Sequence, residues 1–214
     1  MTDETNVLEA RDVTVRFNGQ MVLRGFSMSL KAGRKAVLTG PSGCGKSTVL
    51  RCLLGFVTPE SGTVLIDDTP LTAETVWNLR RRVAYVGQEP DLGGGVVREV
   101  LERPFHYRAN ASLRSNLQRA PEFLETFGLA PSLLDKEAGD LSGGEKQRVA
   151  LVSALLLDRR IFLLDEITSA LDPASKGAVA EYFRRRENVT VLFVAHDAER
   201  FSFADQVLSL RGPA

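Results

Sequence analysis

The sequence predicts an α/β fold: a mainly parallel sheet core covered by helices, an N-terminal antiparallel β part and an inserted helical subdomain. Three observations carry this reading. Short apolar runs at 36–39, 83–86, 161–164 and 189–195 are separated by helical stretches, the rhythm of parallel strands buried on both faces. The first thirty residues instead alternate apolar with polar, and Asn18-Gly19 sits between two such runs as a turn signal. From 89 to 140 strand-like runs vanish, and Pro104, Pro121 and Pro131 divide short amphipathic pieces such as 122–127.

Taken in order, Val13, Val15 and Phe17 alternate with Thr14 and Arg16, then Met28 and Leu30 with Ser27 and Ser29, as half-buried strands do. The run 36–39 ends at Gly40, where a glycine-rich loop leads into a helix over 46–54. Val64-Leu65-Ile66 and 83–86 are two more strand candidates. Gly93-Gly94-Gly95 reads as a flexible joint at the start of the insert. A helix over 142–157, a strand at 161–164, a helix over 173–186, a strand at 189–195 and a last strand at 207–210 complete the series. Arg80-Arg81-Arg82 and Arg184-Arg185-Arg186 read as solvated helix faces. The expected organisation is one domain over 1–214, with a core of 1–88 and 141–214 interrupted by the insert at about 89–140.

Composition narrows the function. The 214 residues hold 27 Lys+Arg against 27 Asp+Glu, a balance that argues against gripping nucleic acid by phosphate neutralisation. Cys44 and Cys52 have neither disulfide-scaffold nor zinc spacing and read as reduced thiols. No apolar run approaches the roughly 18 residues of a membrane span, and the acidic, polar N-terminus is unlike a signal peptide. A cytoplasmic protein is expected, and any work on a membrane would be done from outside the bilayer.

Gly40-Pro41-Ser42-Gly43-Cys44-Gly45-Lys46-Ser47-Thr48 satisfies GxxxxGK[ST] between a strand and a helix. Glycines let several backbone N–H groups converge on one anion, and the helix N-terminus adds partial positive charge. Lys46 would reach the β- and γ-phosphates, and the Ser47 hydroxyl would ligate Mg²⁺. Ile161-Phe162-Leu163-Leu164-Asp165-Glu166 is an apolar strand ending in two carboxylates. Asp165 can hold Mg²⁺, and Glu166, facing the other way if the strand continues, can polarise the attacking water. Leu141-Ser142-Gly143-Gly144-Glu145-Lys146-Gln147-Arg148 opens a long helix. It reads both as a capping box between Ser142 and Glu145 and as a second anion-binding helix terminus. One domain cannot readily wrap both anion sites round a single nucleotide, so a site shared between two subunits is expected.

With these motifs the sequence resembles the ATP-binding subunits of ABC transporters over essentially its whole length, which makes the expected fold a P-loop NTPase of ABC type. Residues 40–48 match the Walker A motif, 141–148 the signature, and 161–166 the Walker B motif with its glutamate. Ser169-Ala170-Leu171-Asp172 matches the D-loop, Gln88 the Q-loop glutamine, and His196 the switch histidine; Phe17 falls where the family stacks an aromatic on adenine. The resemblance implies ATP and Mg²⁺ bound by a head-to-tail homodimer. Gly40, Pro41, Ser42, Gly43, Cys44, Gly45, Lys46, Ser47 and Thr48 of one subunit would hold the nucleotide, covered by Ser142, Gly143, Gly144 and Glu145 of the other. Ser47, Gln88 and Asp165 would attend the metal. Glu166, His196, Gln88 and Lys46 would be catalytic, and Asp172 would link the two sites. It also implies an integral membrane permease on a separate chain, touched by the insert, and a place on the cytoplasmic face of the inner membrane. Two departures are small: Glu145 stands for the usual glutamine, and Ile167 for the proline that often follows the Walker B glutamate.

Two other classes fit less well. Chromosome and DNA-repair ABC ATPases split their halves with long coiled coils, and ribosome-associated ones carry two ATPase domains; here the insert is short and the motif set single. A phosphate-loop kinase or GTPase would lack the Ser142-Gly143-Gly144 element and His196. The motif wording is most similar to the bacterial iron-export type, with a small-solute importer or a lipoprotein or peptide exporter as alternatives.

Overall fold

The computed structural model describes residues 5–195 and 203–212. The N-terminal strands β1 (Asn6–Phe17) and β2 (Gln20–Lys31) form the hairpin that Asn18-Gly19 announces. Asn18 at φ 51 and Gly19 at φ 80 supply the two positive φ values that a two-residue hairpin turn requires. Both strands are longer than their alternation suggested. Glu9, 6% exposed, is tied to Arg11, and a register shift between Ala10 and Val13 with Asp12 at φ 51 breaks the period of two. β1 also pairs antiparallel with β4 (Ser61–Ile66), which turns through Asp67 and Asp68 into β5 (Thr69–Pro70). The order of this sheet is β2-β1-β4-β5.

The second sheet is parallel throughout, in the order β6-β7-β8-β3-β9. Its strands are β3 (Lys35–Thr39), β6 (Val83–Val86), β7 (Ile161–Asp165), β8 (Thr190–Val194) and β9 (Gln206–Ser209). Every residue of β7 and β8 is buried, and their side chains alternate between two cores, as the pleat dictates. Phe162, Leu164, Val191 and Phe193 enter the core shared with α5 (Gly143–Leu156), α6 (Pro173–Arg184) and the 97–141 segment. Ile161, Leu163, Leu192 and Val194 enter the core shared with α1 (Lys46–Leu53) and the antiparallel sheet. This two-sided burial is why the strands read as continuous apolar runs.

Between β6 and α5 the chain is helical, much of it in tight 3-10 turns: α3 (Val97–Glu102) and α4 (Ala120–Thr126) alternate with turns at Arg103–His106, Ala111–Arg119, Pro131–Asp135 and Ala138–Asp140. The glycines at 93–95 are pinned and not free as a joint. The Arg103 guanidinium donates to the Leu92 and Gly94 carbonyls, and the Asp91 carboxylate accepts from the Gly93 N–H. Arg80, at the end of the short α2 (Val76–Arg80), is likewise no solvated charge. It donates to the Leu54 and Gly55 carbonyls and lies 4.2 Å over the Phe56 ring and 5.4 Å over Trp77. Cys44 and Cys52 are buried free thiols, the latter pushed up to about 11 by burial. Among the described residues no helix is long and apolar enough to cross a membrane.

Candidate functional site

The parallel strands deliver their loops to one edge. β3 opens there into the 40–45 loop, β6 into Gly87-Gln88, and β7 into Asp165-Glu166. Such carboxyl ends are where open α/β sheets place their ligands. The loop curls tightly onto its neighbours. A Cβ on Gly40 would lie 2.3 Å from the Leu210 carbonyl oxygen, and Gly45, at φ 106, caps α1 in the left-handed region against Val22 and Leu23 of β2. No acidic residue sits in the first turn of α1, so its N-terminal partial charge is uncompensated from within. Lys46 is 5% exposed, and its Nζ donates to the carbonyls of Gly40 at 2.8 Å and Pro41 at 3.0 Å. The ammonium thus arches back across the loop that a phosphate would occupy.

Asp165, 6% exposed at the end of β7, faces this loop. Burial raises its carboxyl, the Glu166 charge adds to that, and a hydrogen bond from Ser47 opposes it. Its Oδ1 is the one buried side-chain polar atom without a partner among the described residues. An orphaned carboxylate oxygen beside a serine hydroxyl offers two hard oxygen donors, which suits Mg²⁺; nucleotide oxygens and water would complete its shell. No group of three or more His, Cys, Asp or Glu side chains is placed to hold a metal among those residues. Glu166 does not continue the strand. It turns to φ 49, its N–H on the Val194 carbonyl and its carbonyl accepting from Ser169 N–H. The two carboxylates are therefore separated by a backbone turn rather than by the pleat.

The remaining predicted residues are spread over several elements. Val86 is level with Leu164, so exposed Gln88 leaves the sheet beside Asp165 and Glu166. Phe17, 43% exposed, is at the tip of the hairpin whose Val22 and Leu23 touch Gly45. Ser42, Gly43 and Thr48 stay with the loop and α1, while Ser142, Gly143, Gly144 and Glu145 form a separate terminus. There Ser142 N–H donates to Glu145 Oε2 at 2.8 Å and Glu145 N–H to Ser142 Oγ at 3.3 Å, so the capping box is formed. This terminus packs against the 170–171 backbone, since a Cβ on Gly144 would lie 3.1 Å from the Ala170 carbonyl oxygen. Asp172 caps α6 through Ser175. His196 lies outside the described residues.

Two residues received no role of their own from the sequence. The Tyr85 phenol lies beside Asp165, raised first by burial and then by that carboxylate; its place three residues before Gln88 at a strand end was the available signal. Gln147 is 2% exposed in α5 and donates to the Gly87 carbonyl at 3.0 Å; its place inside the 141–148 motif was the available signal.

Comparison with known proteins gives the family of the chain. Residues 23–169 match the family model described as ABC transporter. The chain is 37% identical, over 99% of its own length and 94% of the relative's, to a probable iron export ATP-binding protein, FetA, of Escherichia coli K12. It is 33% identical to the energy-coupling factor transporter ATP-binding protein EcfA1 of Latilactobacillus sakei, over 97% of its length and 76% of the relative's. Among solved structures, cbiO1 of Clostridium perfringens, part of the ABC transporter complex cbiONQ, superposes with a TM-score of 0.82 at 25% identity, over 97% of this chain and 86% of that one. An ATP-binding subunit of an ABC transporter superposes at 0.85 and 27% identity, over 96% and 86%.

Proposed function

From the premise that the chain belongs to the ABC transporter family, as an ATP-binding motor subunit and an ATPase, we propose that it hydrolyses Mg²⁺-bound ATP in a head-to-tail dimer to drive a separate membrane permease. The carrying observation is the meeting, at one sheet edge, of the glycine loop with Lys46, the orphaned Asp165 Oδ1 and the turned-out Glu166. The loop N–H groups and Lys46 hold the β- and γ-phosphates. Ser47 and Asp165, with Gln88 beside them, hold Mg²⁺, which when bound spreads the charge that develops on the phosphoryl oxygens. Glu166 polarises the attacking water, and Gln88 and His196 orient it towards the γ-phosphate. Phe17 supplies a flat apolar face for the adenine. Ser142, Gly143, Gly144 and Glu145 of the opposite subunit close the site from above.

Glu166→Gln removes the base while leaving the phosphate cradle intact. We expect it to bind ATP, lose hydrolysis by at least about a hundredfold, and accumulate as an ATP-stabilised dimer in size-exclusion chromatography; turnover near wild type would sink the assignment.

For cargo, identity to FetA over nearly the whole chain supports metal export, with iron the first choice. EcfA1 and cbiO1 belong to other systems, so a small-solute importer is the second reading. Co-purifying the permease and measuring which solute changes the ATPase rate separates the two. The motor would then sit peripherally on the cytoplasmic face of the membrane.

A further inference from the structure

α5 buries one polar side chain among apolar ones. The helix is covered nearly all round, and Gln147 is buried in it with Val149, Leu151, Val152, Ala154, Leu155 and Leu156. Burying an amide is unfavourable unless it is paired, and this one is paired to a single informative place. Its Nε2 donates to the carbonyl of Gly87, sixty positions away in sequence and the residue immediately before Gln88. On the same helix, roughly 7.5 Å upstream at 1.5 Å per residue, Ser142 caps the terminus that the opposite subunit would use. The next residue holds the helix elsewhere. Arg148 donates to Ser175 Oγ at 2.9 Å and to the Phe127 and Gly144 carbonyls at 3.2 Å each. Arg148 therefore anchors α5 to α4 and α6, whereas Gln147 alone of the two reaches the Gln88 loop.

We propose that Gln147 is a positioning residue that joins the Gln88 loop and the Ser142 terminus into one mechanical unit. The inference rests on the shared-site reading above. A γ-phosphate drawing Gln88 into register shifts the Gly87 peptide. Through the Gln147 amide, that shift is delivered to α5 and so to Ser142, which serves the other nucleotide. Occupancy of one site then alters alignment at its twin, and the coupling is reciprocal.

Gln147→Met tests this, because methionine fills nearly the same volume and cannot donate. The isolated subunit should bind ATP within about twofold of wild type, since no nucleotide contact changes. Turnover of the dimer should fall about tenfold, because Gln88 and Ser142 are no longer held in one alignment. The Hill coefficient for ATP should drop from near 2 to about 1. Hydrogen exchange over 85–90 should quicken while 149–156 keeps its protection. If the variant melts lower but keeps its Hill coefficient and its 85–90 exchange, Gln147 merely fills the core and the proposal is overturned. Gln147→Asn, one methylene short, carries the same expectations should the methionine variant fail to fold. Wild-type protein without ATPase activity would bring down the motor reading, while the exchange arm would still decide whether Gln147 holds the loop.

Discussion

Asp165 shows how function works against stability at one residue. Its carboxylate is buried, repelled by Glu166, and left with one oxygen unpaired. An unsatisfied buried acceptor of this kind costs about 1–3 kcal/mol in the absence of its ligand. Asp165→Asn removes the charge and keeps the shape, and its amide can still bond to Ser47. The ligand-free variant should therefore melt higher by roughly 2–4 °C, the shift that about 1 kcal/mol produces in a chain of this size. Its ATPase should fall by at least about a hundredfold, because a neutral amide is a poor magnesium ligand. Calorimetry and a phosphate-release assay check the two halves separately. An equal or lower melting temperature would mean that the buried charge of Asp165 costs nothing. At this scale the sequence named Lys46, Ser47, Asp165 and Glu166 because each stands in a spaced motif. It gave Tyr85 and Gln147 no role of their own, although Gln147 stands in the 141–148 motif, because their contacts exist only once β6, β7 and α5 are packed together.

The elements show the same division between local and tertiary causes. α5 was legible to within a residue at each end because its start is written locally, as a serine with a glutamate three positions on. The short α2 was not, since five residues with only Leu79 buried carry no period. α6 is set by a cap of a different kind. The Ser175 N–H donates to Asp172 Oδ1 at 3.0 Å and its hydroxyl to Oδ2 at 2.6 Å, and these bonds lower the carboxyl from its ordinary 3.8 to about 2. A depressed carboxylate contributes stability that is fully present above pH 3.8 and lost as the pH falls to about 2. Asp172→Ala should lower the melting temperature at pH 7, with the gap to wild type closing as the pH descends through that window. Asp172→Asn, which keeps an N-cap acceptor but no charge, should fall between them. A gap independent of pH would show that the charge contributes nothing to the cap.

For the molecule as a whole, the two-faced parallel sheet is the feature that the apolar runs foretold, and it explains the site. Two cores fix the strands from both sides, so the loops at their carboxyl ends are held by packing that never touches nucleotide. The 142–145 terminus packs against Ala170 and Leu171 of its own chain, and the shared-site reading has it serve the other subunit. A head-to-tail pair has a consequence that a self-contained subunit cannot reproduce. In the proposed pair each composite site would take Lys46 from one chain and Ser142 from the other. In a Lys46→Ala homodimer both sites lack the lysine, and in a Ser142→Arg homodimer both are blocked at the signature. In the heterodimer of the two, both defects fall on one site and the other is whole. With Glu166→Gln in both chains to stop turnover, a tag on one variant and labelled ATP, the captured heterodimer should retain about one nucleotide, and each homodimer none. A captured heterodimer that retains no more nucleotide than either homodimer would place both halves of the site on a single chain and end the shared-site reading.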